Sequence, residues 1–71
     1  MFGDVLKKAR LKAGMTQEQL AFEAEIDRTF ISRLEHNRMS PTLDTLFRLS
    51  DALGVPASRL IARVERSRPR K

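Results

Sequence analysis

The sequence predicts an all-α fold, a compact bundle of about five short helices, and three observations carry that prediction. No segment shows the period-two alternation of a half-buried strand. β-Branched residues are few. Apolar residues recur instead at three- and four-residue spacing, between clear capping and stop signals.

A first helix is predicted over residues 3–13. Val5, Leu6 and Ala9 share one face there, and Gly14 is placed for the left-handed residue that closes a helix. Thr16-Gln17-Glu18-Gln19 is a T-x-x-Q capping box, in which Thr16 and Gln19 satisfy each other's free backbone N–H groups. It starts a second helix from residue 17 to residue 23 or 24, with Leu20, Ala21 and Ala24 facing inward. Asp27 is a good N-cap and starts a third helix only about ten residues after the second begins, so the second is short and its connection tight. In the third helix Phe30, Ile31 and Leu34 form one apolar stripe, while Arg28, Thr29, Ser32, Arg33 and His36 fall elsewhere on the wheel. Asn37 tolerates positive φ and is the expected terminator. Ser40-Pro41 predicts the next start, with Ser as cap and Pro at the first helical position. Leu43, Leu46, Phe47, Ser50 and Leu53 then follow helical spacing up to Gly54, with Pro56 beyond it as a stop. A last helix from about Ala57 offers Leu60, Ile61 and Val64. The closing run SRPRK has no apolar anchor, which predicts one domain over residues 1–66 and a mobile basic tail over residues 67–71.

Composition narrows the function. A domain of 71 residues buries a modest core, about 60% of its unfolded surface. With no cysteine there is neither a disulfide framework nor a thiolate metal site, as expected for a reducing cytoplasm. His36 is the only histidine and has no partner ligand for a metal, so no metal and no cofactor is predicted. No apolar run approaches the ~18 residues of a membrane span, and the N-terminus lacks the uninterrupted apolar centre of a secretory signal. No nucleophile, base and orienting group come together in the sequence, and no glycine-rich phosphate loop is present, so catalysis is not expected. The net charge is +5. Residues 62–71 hold five basic residues against Glu65, a net +4, which leaves +1 for the other 61 residues. A basic tail attracts phosphate without reading sequence. Specific function therefore has to come from the geometry of the body.

Two helices of about two turns joined by a tight turn, the second opening with polar residues, form the helix-turn-helix pattern. The strings GMTQEQLA at residues 14–21, IDRTFISRLE at residues 26–35, SPTLDTL at residues 40–46 and ALGVP at residues 52–56 stand in order along the chain. Together they resemble the Cro/CI-type (Xre) DNA-binding domain, which has the lambda-repressor-like fold, over about residues 6–60. Within that family, the DRTFIS core followed by Glu35 and Asn37 is similar to the small controller proteins of restriction-modification systems.

The resemblance implies a bacterial or phage transcriptional regulator acting in the cytoplasm on double-stranded DNA, with the third helix in the major groove. Arg28, Thr29, Ser32 and Arg33 are then the base-reading residues. Arginine offers two donors to guanine O6 and N7, and threonine offers a methyl to thymine. Thr16 and Gln17 at the start of the second helix, with His36, Asn37, Arg38 and Ser40 after the third, are expected beside phosphates. The resemblance also implies an ion pair between Arg10 and Glu35 that ties the first helix to the third, a role that suits arginine's paired donors. Two departures from the family pattern stand out: Glu25 occupies a turn position where many members carry glycine, and Phe30 stands where tyrosine is common.

One recognition helix touches few base pairs, so a homodimer on a palindromic operator is expected. Ile61 and Val64, with Leu49 or Phe47 beside them, are the candidate interface residues. The rival reading is an antitoxin-type module that binds a toxin or other protein partner as well as its own operator. The short sequence after Val64 offers little room for such a partner site.

Overall fold

The structure, a computed structural model, describes residues 1–69. It has five helices: α1 (Phe2–Lys12), α2 (Gln17–Ala24), α3 (Arg28–Glu35), α4 (Leu43–Leu53) and α5 (Ala57–Ser67). Among the described residues there is no strand.

One core holds the bundle together, and every helix contributes to it. Leu6 of α1, Leu20 of α2, Ile31 and Leu34 of α3, Leu49 of α4 and Leu60 of α5 are fully buried. Each is worth about 1.5–3 kcal/mol relative to exposure. Leu49 therefore belongs to the core, and its expected place in a subunit interface is corrected. Its side chain has no surface to offer a partner.

Local signals fix where the helices begin and end. The Thr16 hydroxyl accepts from Gln19 N at 3.0 Å, and the Gln19 side chain accepts from Thr16 N at 2.8 Å, which completes the capping box of α2. The Asp27 carboxylate accepts from Thr29 N at 3.1 Å and caps α3. The start of α4 differs from the sequence reading: its cap is Thr42, not Ser40, and Pro41 lies before the helix. Thr42 wins because its hydroxyl both accepts from Thr45 N at 3.1 Å and donates to the Thr45 hydroxyl at 3.0 Å. Asp44 then falls in the first turn, where the helix dipole favours an acid. At the other end, α5 runs one residue past the expected domain limit, to Ser67, whose hydroxyl donates to Val64 O at 3.0 Å. Of the expected mobile tail, Arg70 and Lys71 lie outside the described residues.

The turn between α2 and α3 keeps its left-handed geometry without glycine. Glu25 has φ 57° and ψ 47°, at a cost of about 1 kcal/mol. Ile26 N reaches back to Ala21 O at 2.9 Å, and Arg48 of α4 reaches Glu25 O at 3.5 Å. These bonds close the turn, and half-buried Ile26 packs against the core.

Asn37, at φ 58°, ends the third helix and also holds the first. Its side-chain oxygen accepts from Gly3 N and from the Met1 ammonium, each at 2.8 Å. Gly3 is buried there against the end of α3. A Cβ on it would stand 2.5 Å from Glu35 O and closer still to Leu34 O. Those carbonyls belong to the backbone and cannot step aside as a flexible side chain would. Gly3→Ala is therefore expected to lower stability by about 1–3 kcal/mol, the usual cost of overpacking. Urea unfolding should show a lower midpoint with an unchanged slope. A midpoint equal to that of the parent would contradict the close approach of α1 and α3.

Candidate nucleic-acid interface

Helix α3 divides into two faces. Ile31 and Leu34 are fully buried, and Phe30 is half-buried against the core. Arg28, Thr29 and Arg33 are exposed on the opposite side, with Ser32 half-buried between them. Thr29, Ser32 and Arg33 come together with His36 and Arg38 to line a shallow open concavity. Arg28 stands at the helix start, outside that concavity.

Past the helix, the chain turns back on itself. Arg38 N donates to Arg33 O at 2.9 Å, and His36 Nδ1 lies 2.8 Å from Ser32 O. A carbonyl oxygen only accepts, so Nδ1 carries the hydrogen. The outer nitrogen, Nε2, is the one left for a ligand. Ser40 and Arg38 are exposed. Asn37 is exposed too, but its oxygen is committed to Gly3 and Met1, which leaves only its amide N–H groups for another contact.

Behind this face lies a buried charge cluster. Arg10 and Glu35 are each 7% exposed. Arg10 Nε donates to Glu35 Oε2 at 2.6 Å and Nη2 donates to Oε1 at 3.1 Å, so the pair is two-toothed. Arg10 Nη1 donates to Met15 O at 2.8 Å, and Gln17 Nε2 donates to Glu35 Oε1 at 3.1 Å. Among the described residues, no buried side-chain polar atom lacks a partner. The link from Gln17 to Glu35 was not anticipated from the sequence. It spends one of the two amide hydrogens of Gln17 and leaves the other at the start of α2. The signal was a carboxylate with two oxygens beside a single arginine, which has acceptor capacity to spare. Thr16 is exposed, with its hydroxyl already accepting in the cap.

The near-neutral body hides a separation of charge. Residues 14–27 hold Glu18, Glu23, Glu25 and Asp27 and no basic residue, a net −4. Residues 28–40 hold Arg28, Arg33 and Arg38, and their one acid, Glu35, is buried in its pair. The exposed charges of residues 28–40 are therefore all positive, and those of residues 14–27 are all negative.

On α5, Ile61 is 47% exposed, while Val64 is half-buried and packs against the core. Ile61, Val64, Glu65 and Arg68 line a second shallow concavity, along the edge of the α5 face that buries Ala57 and Leu60.

Two short helices joined at Glu25, with the second presenting a polar outer face, define a helix-turn-helix protein. The sequence model of the helix-turn-helix family matches residues 6–60, and the chain belongs to that family, in its Cro/CI-type (Xre) branch. It is 40% identical over 62 residues to the control protein C.BamHI of Bacillus amyloliquefaciens, a match covering 86% of this chain and 76% of that one. It is 35% identical over 66 residues to the control protein C.MunI of a Mycoplasma species, covering 92% and 89%. Among solved structures, the restriction-modification controller protein C.Esp1396I bound to a 19 base pair DNA duplex superposes with a TM-score of 0.82 at 35% identity, over 92% of this chain and 87% of that one.

The buried cluster makes a direct prediction. Glu35→Ala strands the Arg10 guanidinium and should cost about 3–5 kcal/mol, whereas replacing both partners with apolar residues of similar volume should cost far less. Thermal or urea unfolding of the single and double variants measures the difference. A loss in the double variant equal to the sum of the losses from replacing Arg10 and Glu35 singly would show that the pair is not coupled.

Proposed function

We propose that the chain is a sequence-specific transcriptional regulator that binds a palindromic operator as a homodimer, with α3 in the major groove. The observation that carries this reading is the outer face of α3. There Arg28, Thr29, Ser32 and Arg33 stand clear of the buried stripe, in a segment whose exposed charges are all arginine. Such residues at the start of a recognition helix match base edges, with two-donor pairing to guanine and methyl contact to thymine. C.Esp1396I, a chain of this shape, has been solved bound to a DNA duplex, which supports DNA as the partner.

Phosphate contacts set the register of that helix. The start of α2 provides free backbone N–H groups, the positive end of the helix dipole and the spare amide hydrogen of Gln17. On the far side of α3, Arg38, Ser40, the Asn37 amide and Nε2 of His36 are available to the same backbone, the histidine as a donor only in its protonated form. Thr16 contributes through its place at the helix start. Arg66 in the last turn of α5 and Arg68 beyond it add attraction without sequence preference. The reading places the protein in the cytoplasm of a bacterium or of a phage-infected cell, where operators are found.

Dimerisation is assigned to Ile61 and Val64 on α5. A twofold interface needs one self-complementary patch, and Ile61 is the large apolar side chain that α5 leaves exposed. Two copies paired there are expected to set their α3 helices about 34–36 Å apart, matching half-sites one DNA turn apart.

Two measurements test this. On the site that the purified protein selects from random DNA, Arg28→Ala or Arg33→Ala should cost about 1–3 kcal/mol and relax preference at particular base pairs. Gln17→Ala and Arg38→Ala should instead weaken all sequences alike. A uniform loss for both arginines of α3 would make them phosphate contacts. The second measurement is of the dimer: Ile61→Asp should leave a folded monomer that binds the operator roughly tenfold or more weakly. Sedimentation of the parent as a monomer that binds one subunit per site would overturn the dimer.

A further inference from the structure

The acidic stretch before the turn has no use in the DNA reading, since phosphate repels it. It surrounds the most exposed large apolar side chain among the described residues. Phe22 is 81% exposed, and with Ala21 and Ile26 it borders an open concavity whose other lining residues are Glu23 and Glu25. Glu18 lies one helical turn before Phe22 on α2, and Glu25 caps the end of that helix beside the same concavity. The result is an apolar knob inside a ring of carboxylates.

The complement is present elsewhere on the same chain. Between the end of α1 and the start of α5 runs a groove with Ala9, Leu53 and Val55 on its floor and Lys12, Arg59 and Arg63 on its rim. Among the described residues, none of these carboxylates or cations is engaged in an ion pair; only Met1–Asp4 and Arg10–Glu35 are. The chain thus carries an apolar knob beside three acids and, on another surface, an apolar groove rimmed by three bases.

We propose that Phe22 of one copy docks in the α1–α5 groove of a second copy, with Glu18, Glu23 and Glu25 set against Lys12, Arg59 and Arg63. The knob and the groove are different surfaces, so the contact is head-to-tail rather than twofold. It shares no residue with the Ile61 and Val64 patch or with the outer face of α3. Dimers paired through α5 can therefore join side by side while their recognition helices stay free. The charged rim sets the register of the contact and is screened by salt, whereas the phenyl ring supplies the buried anchor. The contact forms without DNA, so its test stands apart from the operator reading.

Replacing Phe22 with photoreactive benzoylphenylalanine in the full chain and irradiating it in low salt maps the contact directly. The expected cross-links run to Ala9, Lys12, Ala13, Leu53, Val55, Arg59 and Arg63 of another copy. Sedimentation of unmodified chain in the same buffer should show association beyond the dimer. Phe22→Ser, Glu23→Lys or Arg59→Glu should each weaken it roughly tenfold or more, and the Glu23→Lys/Arg59→Glu double variant should restore it. All three positions are exposed, and circular dichroism and unfolding midpoints confirm that the variants fold. Cross-links to any other surface, no cross-link at the highest soluble concentration, or association indifferent to the three substitutions would overturn the proposal.

Discussion

The Arg10–Glu35 pair is the constraint on which the rest of the molecule depends. Arginine from α1 meets a carboxylate from the end of α3 with two bonds, of 2.6 and 3.1 Å, in a site that is almost closed to water. Removing two charges from water is expensive, and the attraction offsets that cost only when the remaining donors and acceptors are satisfied. Met15 O takes one further arginine hydrogen and Gln17 donates to the carboxylate, so the cluster also fixes the entry of α2. One pair thereby sets three helix positions. Its worth lies in orientation more than in net stability.

From that anchoring, the surface follows. Ile31 and Leu34 can fill the core only if α3 presents Arg28, Thr29, Ser32 and Arg33 outward. The close approach of Gly3 to the last carbonyls of α3, and the bonds from Gly3 and Met1 to Asn37, hold the far end of the same helix. A reading helix fixed at both ends presents its side chains with little entropy left to lose on binding. The opposite charges on the two sides of the turn add orientation. DNA is drawn to the arginines after Glu25 and repelled by the acids before it.

Much of this was legible in the sequence because local chemistry decides it. The capping box at Thr16, the cap at Asp27 and the left-handed residues Asn37 and Gly54 depend on neighbours within a few positions. The start of α4 was misread because Ser40 and Thr42 are both competent caps, and their competition is settled by the pairing of Thr42 with Thr45. Leu49 was misplaced because helical periodicity identifies an apolar face without saying whether it meets the protein's own core or a partner. Gly3 was read simply as the first residue of a helix. Its need for a missing Cβ arises from packing against residues more than thirty positions away, which no local pattern reports. The separation of charge across the turn was hidden by summing over the body, where +1 conceals −4 over residues 14–27 beside +2 over residues 28–40.

The central claim is that the outer face of α3, not the acidic patch around Phe22, meets DNA. Backbone amide shifts followed by nuclear magnetic resonance during titration with a selected duplex test it most directly. The account predicts the largest changes at residues 28–33, with further changes at Thr16, Gln17 and residues 36–40, and little at residues 22–25. Changes centred on residues 22–25, or confined to α5, would contradict it.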